Sequence, residues 1–228
     1  MRAMILAAGR GARMRPLTDT RPKPLLEAGG KARIVWQIER LKAAGLRDII
    51  INHAHLGQQI EETLGDGQAL GVSIRYSPEA QALETAGGIR QALPLLGNEA
   101  FVVVNGDVYC NANLNTVRQA ATGLSASGDL AHLVLVPNPA HNPAGDFPLA
   151  GGRLGGSGPS FTFAGIGAYH PALFAALKPG EPARLAPLLQ AAMQQRRVAG
   201  ALFEGEWIDV GTPERLAELD QALSGGPR

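Results

Sequence analysis

Met4-Ile5-Leu6-Ala7-Ala8-Gly9-Arg10-Gly11-Ala12-Arg13-Met14-Arg15-Pro16-Leu17-Thr18, then Arg21-Pro22-Lys23-Pro24-Leu25-Leu26, is an apolar run that passes directly into a loop of small residues and five cations. Gly9 and Gly11 let the backbone reach conformations closed to other residues and bring main-chain N–H groups against a ligand. Arg10, Arg13, Arg15, Arg21 and Lys23 are answered within the stretch by a single acid, Asp19. Pro16, Pro22 and Pro24 stiffen the loop, and a pre-organised loop gives up less entropy on binding. A strand feeding a rigid, cationic, glycine-bearing loop predicts a polyphosphate site. Two other phosphate loops are excluded by spacing, because both the Walker A pattern and the third glycine of the dinucleotide fingerprint would need glycine where Met14 stands.

Outward from this loop the chain reads as α/β. Apolar runs at 3–8, 48–52, 72–76, 101–105, 131–137, 161–169 and 201–203 predict strands. Helical periodicity marks 34–44, 57–64, 85–96, 114–123, 185–196 and 213–223. Strand and helix alternate up to Phe101, which predicts parallel strands with right-handed crossovers and a ligand site beyond their C-terminal ends. With 228 residues, 45% of them hydrophobic, the expected organisation is one domain with a small lobe. The formal charge of +1 gives no global attraction to nucleic acid, so the basic character is local. Cys110 is the only cysteine, which rules out an internal disulfide and fits a reducing compartment. The apolar start is too short for a membrane span or signal peptide. The expectation is a cytoplasmic protein without nucleic-acid or membrane partners, either monomeric or homodimeric.

The strand, Ala8-Gly9-x-Gly11-x-Arg13-x-x-Pro16-Leu17-Thr18 and Pro22-Lys23-Pro24-Leu25 together resemble the signature of the sugar-1-phosphate nucleotidyltransferases, which join a nucleoside triphosphate to a sugar 1-phosphate and release pyrophosphate. The resemblance implies a Rossmann-like, mostly parallel sheet flanked by helices, with a small sugar-binding lobe. The nucleotide part would span about 1–107, and the sugar-binding, metal-completing part about 108–228. It implies that Ala8, Gly9, Gly11, Ala12, Arg13 and Lys23 hold the nucleotide phosphates, with Arg13, Lys23 and Asp107 as catalytic residues. Asp107, in Asn105-Gly106-Asp107, and Asp209, in Trp207-Ile208-Asp209-Val210-Gly211-Thr212-Pro213, resemble the two Mg²⁺-binding aspartates of the family. A hard cation that keeps waters and phosphate oxygens needs no more than these two carboxylates. Thr212 and Pro213 also read independently as the cap and first turn of a helix.

Leu83, Thr85 and Gly88 fall in a stretch resembling the family's base-binding Leu-Gly-Thr-Ala-Gly, with Glu84 where the first glycine is usual. Asn105, Gly145 and Asp146 are the expected sugar-side residues. The family's second lysine is missing, since Lys23, Lys31, Lys42 and Lys178 are the only lysines; Arg15 is the expected substitute. His53 and His55 read as a strand end, and Cys110 lacks a cation to activate it. Among short members, Leu83-Glu84-Thr85-Ala86-Gly87-Gly88 resembles the N-acetylmuramate-1-phosphate uridylyltransferases of bacterial cell-wall recycling. This implies UTP and a lactyl sugar, with Gly151, Gly152, Gly155 and Gly156 as an expected pocket for the lactyl group. The alternatives are mannose-1-phosphate guanylyltransferase and a non-catalytic sensor of sugar nucleotides.

Overall fold

The computed structural model describes residues 1–224. Its strands are β1 (Arg2–Leu6), β2 (Glu27–Ala28), β3 (Lys31–Ala32), β4 (Asp48–His53), β5 (Ser73–Pro78), β6 (Phe101–Asn105), β7 (Val108–Cys110), β8 (Ala131–Val136), β9 (Phe147–Ala150), β10 (Arg153–Leu154), β11 (Ser160–Tyr169), β12 (Val198–Leu202) and β13 (Trp207–Asp209). The helices are α1 (Arg33–Ala43), α2 (Gly57–Leu64), α3 (Glu84–Leu96), α4 (Leu114–Ser127), α5 (Leu185–Gln194) and α6 (Pro213–Ser224).

The main sheet has the order β5-β4-β1-β6-β11-β8-β12-β10-β9. β5, β4, β1 and β6 are parallel neighbours, as the alternation predicts. β11 runs antiparallel to both β6 and β8, and β10 is antiparallel to both β12 and β9, so these two strands alone oppose the rest. Side chains alternate between faces along each strand. Ala3, Ile5, Ile49, Ile51, Val102 and Val104 meet Ile34, Ile38 and Leu41 of α1, Ile60 of α2 and Val117 of α4. Met4, Ile50, Val103 and Leu133 face the other way, onto Ile89 and Ala92 of α3 and Leu189 of α5. Burial on both faces explains why the central strands read as continuous apolar runs.

The strands that sequence periodicity leaves unmarked are short. β7 and β13 have three residues each and pair antiparallel, with Asp209 opposite Val108. β9 and β10 form a hairpin whose turn residues, Gly151 and Gly152, have φ of +57° and +75°. Two successive positive φ values define the two-residue turn that suits strand twist, which accounts for both glycines. Gly155 packs toward Met193, where an added Cβ would stand 3.0 Å from the Met193 Cβ. None of the four glycines expected to form a lactyl pocket lines the cleft described below. Turn geometry and packing account for Gly151, Gly152 and Gly155.

Candidate active site

Because β5, β4, β1 and β6 point the same way, their C-terminal ends open on one edge. There Leu6–Gly9, Asn52, Glu79 and Asn105–Asp107 line a cleft of about 320 Å³, joined by Lys23, Pro24, Ala82, Glu84 and Thr85. Gly106 belongs at the crossing of the two central strands: its N–H donates to the Leu6 carbonyl at 2.9 Å. An added Cβ would lie 2.8 Å from that same oxygen.

A buried polar chain fixes the floor. Asn52 accepts from the Ala7 N–H at 2.9 Å and donates to Glu79 Oε1 at 2.6 Å, and Glu79 Oε2 accepts from the Leu83 N–H at 2.8 Å. Burial pushes the Glu79 carboxyl above the ordinary glutamate range, against the hydrogen bonds from Asn52 and Leu83. Gly88 serves this chain. A Cβ there would come 2.6 Å from Glu79 Oε1 and 2.8 Å from Asn52 Nδ2.

Gly11, at φ +68°, turns the phosphate loop back over Lys23: its carbonyl accepts from Thr18 Oγ1 at 2.8 Å, and a Cβ would stand 3.1 Å from the Lys23 Cβ. Lys23 is 8% exposed, and its ammonium meets Asp107 Oδ2 at 2.7 Å. The Asp107 side chain remains 37% exposed toward the cleft. Desolvation alone would raise its carboxyl, but the charge and hydrogen bond of Lys23, with the Arg33 guanidinium, hold it below the usual aspartate range. Of the other loop cations, Arg15 pairs with Asp19 and Arg21 with Glu27. Arg15 does not line the cleft, and its pairing with Asp19 is a surface contact with both side chains about half exposed. Arg10 and Arg13 are exposed and have no ion-pair partner among the described residues.

The second aspartate arrives through the β7–β13 pair. The Val210 N–H donates to the Asp107 carbonyl at 3.0 Å, which sets the two motifs side by side. Asp209 Oδ2 takes an ion pair from Arg215 at 2.9 Å and lies 3.5 Å from His141 Nε2. Gly211 beside it leaves room for Arg13, whose guanidinium nitrogens would lie 3.1 Å from an added Cβ. Thr212 caps α6, its Oγ1 accepting from the Arg215 N–H at 3.4 Å.

Beneath the aspartates lies Arg33, 4% exposed at the start of α1. Its Nη2 donates to the Gly106 carbonyl at 3.3 Å, while Nη1 is buried without a partner. Burial lowers its pKa to about 10, against the opposing pull of Asp107 and Asp209. One turn on, Gln37 donates to the Val108 carbonyl, and Arg40 donates to the Ala112 carbonyl at 2.9 Å. A polar stripe on α1 therefore holds the backbone that carries Asp107.

The expected residues thus divide. Ala8, Gly9, Lys23, Thr85, Asn105 and Asp107 line the cleft; Gly11, Ala12, Arg13 and Asp209 flank it without entering its lining. Leu83 and Gly88 do not line it: Leu83 is 3% exposed with its N–H and carbonyl both engaged, and Gly88 is packed on Glu79. Gly145 and Asp146 are also absent from the lining. Gly145 forms a turn at φ +67°, and Asp146 accepts from Asn142 Nδ2 at 3.0 Å and from the Phe163 N–H at 2.8 Å. Asn52, Glu79, Arg33, His141 and Arg215 escaped the sequence reading. Of these, Asn52 carried a usable signal, as a polar residue ending an apolar strand.

Among the described residues no three His, Cys, Asp or Glu side chains gather as a metal site. Two neighbouring carboxylates with only oxygen donors fit a hard divalent cation whose other ligands are water and phosphate. Contrary to the expectation that no cation attends it, Cys110 has Arg40 beside it, but it is fully buried and burial pushes its thiol up against that charge, which argues against a nucleophile. No helix among the described residues is long and apolar enough to cross a membrane.

Residues 2–145 match the nucleotidyl transferase family. The chain is 55% identical over 232 residues to the N-acetylmuramate alpha-1-phosphate uridylyltransferase of Neisseria meningitidis, covering 99% of each chain. It is 33% identical to the protein of the same name from Caulobacter vibrioides, covering 97% of this chain and 96% of that one. The mannose-1-phosphate guanylyltransferase of Mycobacterium tuberculosis is 38% identical over 49% of this chain and 31% of its own. A crystal structure of a Bacillus anthracis protein in complex with a sucrose superposes with a TM-score of 0.88 at 23% identity, over 100% of this chain and 97% of that one. That likeness carries the fold.

Proposed function

Because the chain belongs to the nucleotidyl transferase family, we propose that it transfers UMP from UTP to N-acetylmuramate 1-phosphate, releasing pyrophosphate, with Mg²⁺ as the metal. The observation that carries the substrate choice is the 55% identity to the Neisseria meningitidis uridylyltransferase along both full chains. The guanylyltransferase likeness covers half of this chain, so it speaks for shared nucleotide chemistry and not for the sugar. Lys23, Asp107 and Asp209 are all present in the sequence, which speaks against a sensor that has lost catalysis.

The sugar phosphate oxygen is already anionic at neutral pH, so no residue need act as nucleophile. The protein's task is to align that oxygen with the α-phosphorus and offset the crowding of negative charge. Ala8–Gly11 would offer main-chain N–H groups to the triphosphate, and Arg10 and Arg13, without an ion-pair partner among the described residues, would face the departing pyrophosphate. Lys23 exchanges its contact with Asp107 for the reacting phosphates. Asp107 and Asp209 would hold Mg²⁺, which when bound supplies positive charge to the phosphate oxygens. Asn105 would meet the sugar phosphate, and residues 108–224 would complete the sugar side. We assign the protein to the cytoplasm, where UTP and sugar phosphates are found.

The test is pyrophosphate release with Mg²⁺ across UTP, GTP, CTP and dTTP against N-acetylmuramate, N-acetylglucosamine, mannose and glucose 1-phosphates. Release confined to UTP with N-acetylmuramate 1-phosphate is expected. Preference for any other pair replaces the substrate, and silence in every pair from folded protein replaces catalysis.

A further inference from the structure

Glu84 opens α3 at φ +61°. Side chains rarely adopt this left-handed conformation, because Cβ crowds the neighbouring carbonyl; glycine takes it freely. Leu56 and Arg196 share the conformation, but of the three only Glu84 lines the cleft. The backbone at this position therefore favours glycine, and yet a glutamate stands there. Strain kept at a site points to use.

The acidic residues that line the cleft are Glu79, Glu84 and Asp107. Glu79 has both oxygens engaged, by Asn52 and by the Leu83 N–H. Asp107 is held by Lys23. Glu84 is exposed, and no donor among the described residues meets its carboxylate. A free carboxylate repels phosphate, so its oxygens serve either a bound cation or an uncharged donor; with Asp107 and Asp209 assigned to the cation, the uncharged donor is the use left to Glu84.

We infer that Glu84 is a specificity-determining residue whose carboxylate accepts a hydrogen bond from a hydroxyl or N–H on an uncharged part of the substrates, on the sugar or on the nucleoside. This rests on the nucleotidyl-transfer reading above. A site that pairs with such a donor disfavours analogues that lack it, since the bound ligand then displaces water from the Glu84 carboxylate and offers no donor in its place.

The experiment compares wild type with Glu84→Gly, Glu84→Ala and Glu84→Gln, varying N-acetylmuramate 1-phosphate at saturating UTP and then the reverse, with Tm measured for each. Glycine removes the carboxylate and relieves the backbone; alanine removes the carboxylate and keeps the strain. The expected result for both is a KM about 10- to 100-fold higher for one substrate, as loss of a charge-assisted hydrogen bond dictates. Glu84→Gln, which keeps an acceptor oxygen, stays within about 5-fold of wild type. The Tm of Glu84→Gly is expected at or above wild type. A rise in the sugar-phosphate KM places the donor on the sugar, and a rise in the UTP KM places it on the nucleoside. Wild-type KM values for both substrates in the glycine and alanine variants overturn the inference. So does a fall in the Tm of Glu84→Gly that parallels the activity loss, which would make Glu84 structural. Wild-type silence with this pair, but turnover of another, overturns the substrate reading instead, and the variants are then compared on the active pair.

Discussion

The loop at 8–25 and the loop at 138–146 both carry proline and polar side chains, yet they spend their polar groups in opposite ways. In the first, Arg10 and Arg13 have no ion-pair partner among the described residues, and Lys23 reaches across 84 positions to Asp107. In the second, Asn138 donates to the Pro143 and Ser160 carbonyls, Asn142 donates to Asp146 and Thr162, and Asp146 also takes the Phe163 N–H. A loop whose polar groups satisfy one another is finished as a structure. One that holds exposed charges without protein partners keeps them in water, where an anionic ligand can reach them. His141 is the exception in the second loop, leaning toward Asp209.

The strongest blow to this contrast would come from Asp107. Asp107→Asn is expected to lower kcat by about 10³-fold, the several kcal/mol that loss of a metal-binding carboxylate removes from transition-state stabilisation. Circular dichroism should report an unchanged fold, and wild-type turnover would remove the metal assignment. Lys23→Ala should lower kcat by about 10²-fold while changing the UTP KM much less, as expected of a group that acts mainly in the transition state. Unchanged kcat with a raised KM would make Lys23 a ground-state anchor.

Arg33 sharpens the comparison from beneath. Its pKa is depressed to about 10 by burial, so the folded state disfavours the charged form. That cost is fully present below pH 10 and is relieved as pH rises from about 10 toward the unfolded value near 12.5. Replacing a whole buried ion pair with apolar residues often stabilises by about 1–4 kcal/mol, whereas removing one partner leaves the opposite charge uncompensated; at Arg33 the cost of burial outweighs the pull of Asp107 and Asp209. Arg33→Met is accordingly expected to resist urea better than wild type at pH 7, with the advantage shrinking above pH 10. A lower urea midpoint at pH 7 would show that the guanidinium contributes more through Gly106 and the aspartates than its burial costs. The smallest effect belongs to the second loop. Asp146→Asn should cost about 0.5–1.5 kcal/mol in urea unfolding, since the amide keeps one acceptor where the carboxylate has two. Its KM for sugar phosphate should stay near wild type; a large KM rise without loss of stability would return Asp146 to the sugar.

The elements that sequence periodicity marks are those long enough to repeat. The ends of β4, β6, β8 and α2 lie within a residue of their predicted positions. β7 and β13, with three residues each, are too short to show any alternation, and their pairing joins positions about a hundred residues apart. The site divides along the same line. Lys23 and Asp107 sit in local motifs whose composition announces charge. Arg33 reads in sequence as one polar residue at the start of an amphipathic helix, and only the approach of α1 to Gly106 makes it a buried cation under two carboxylates. Asp146 and Gly145 sit in a promising motif too, but what a carboxylate can bind depends on which donors already hold it.

The sequence alone determined the α/β alternation, the cationic loop and the two aspartates, because local composition and helical or strand periodicity act within a few residues. Tertiary structure decided which of those groups remain free to meet a ligand. Pairing between Lys23 and Asp107, Asn52 and Glu79, or Asp209 and Arg215 links residues from different elements. Hydrogen bonding is a matter of distances near 3 Å, which chain position does not specify until the sheet has brought its strand ends together.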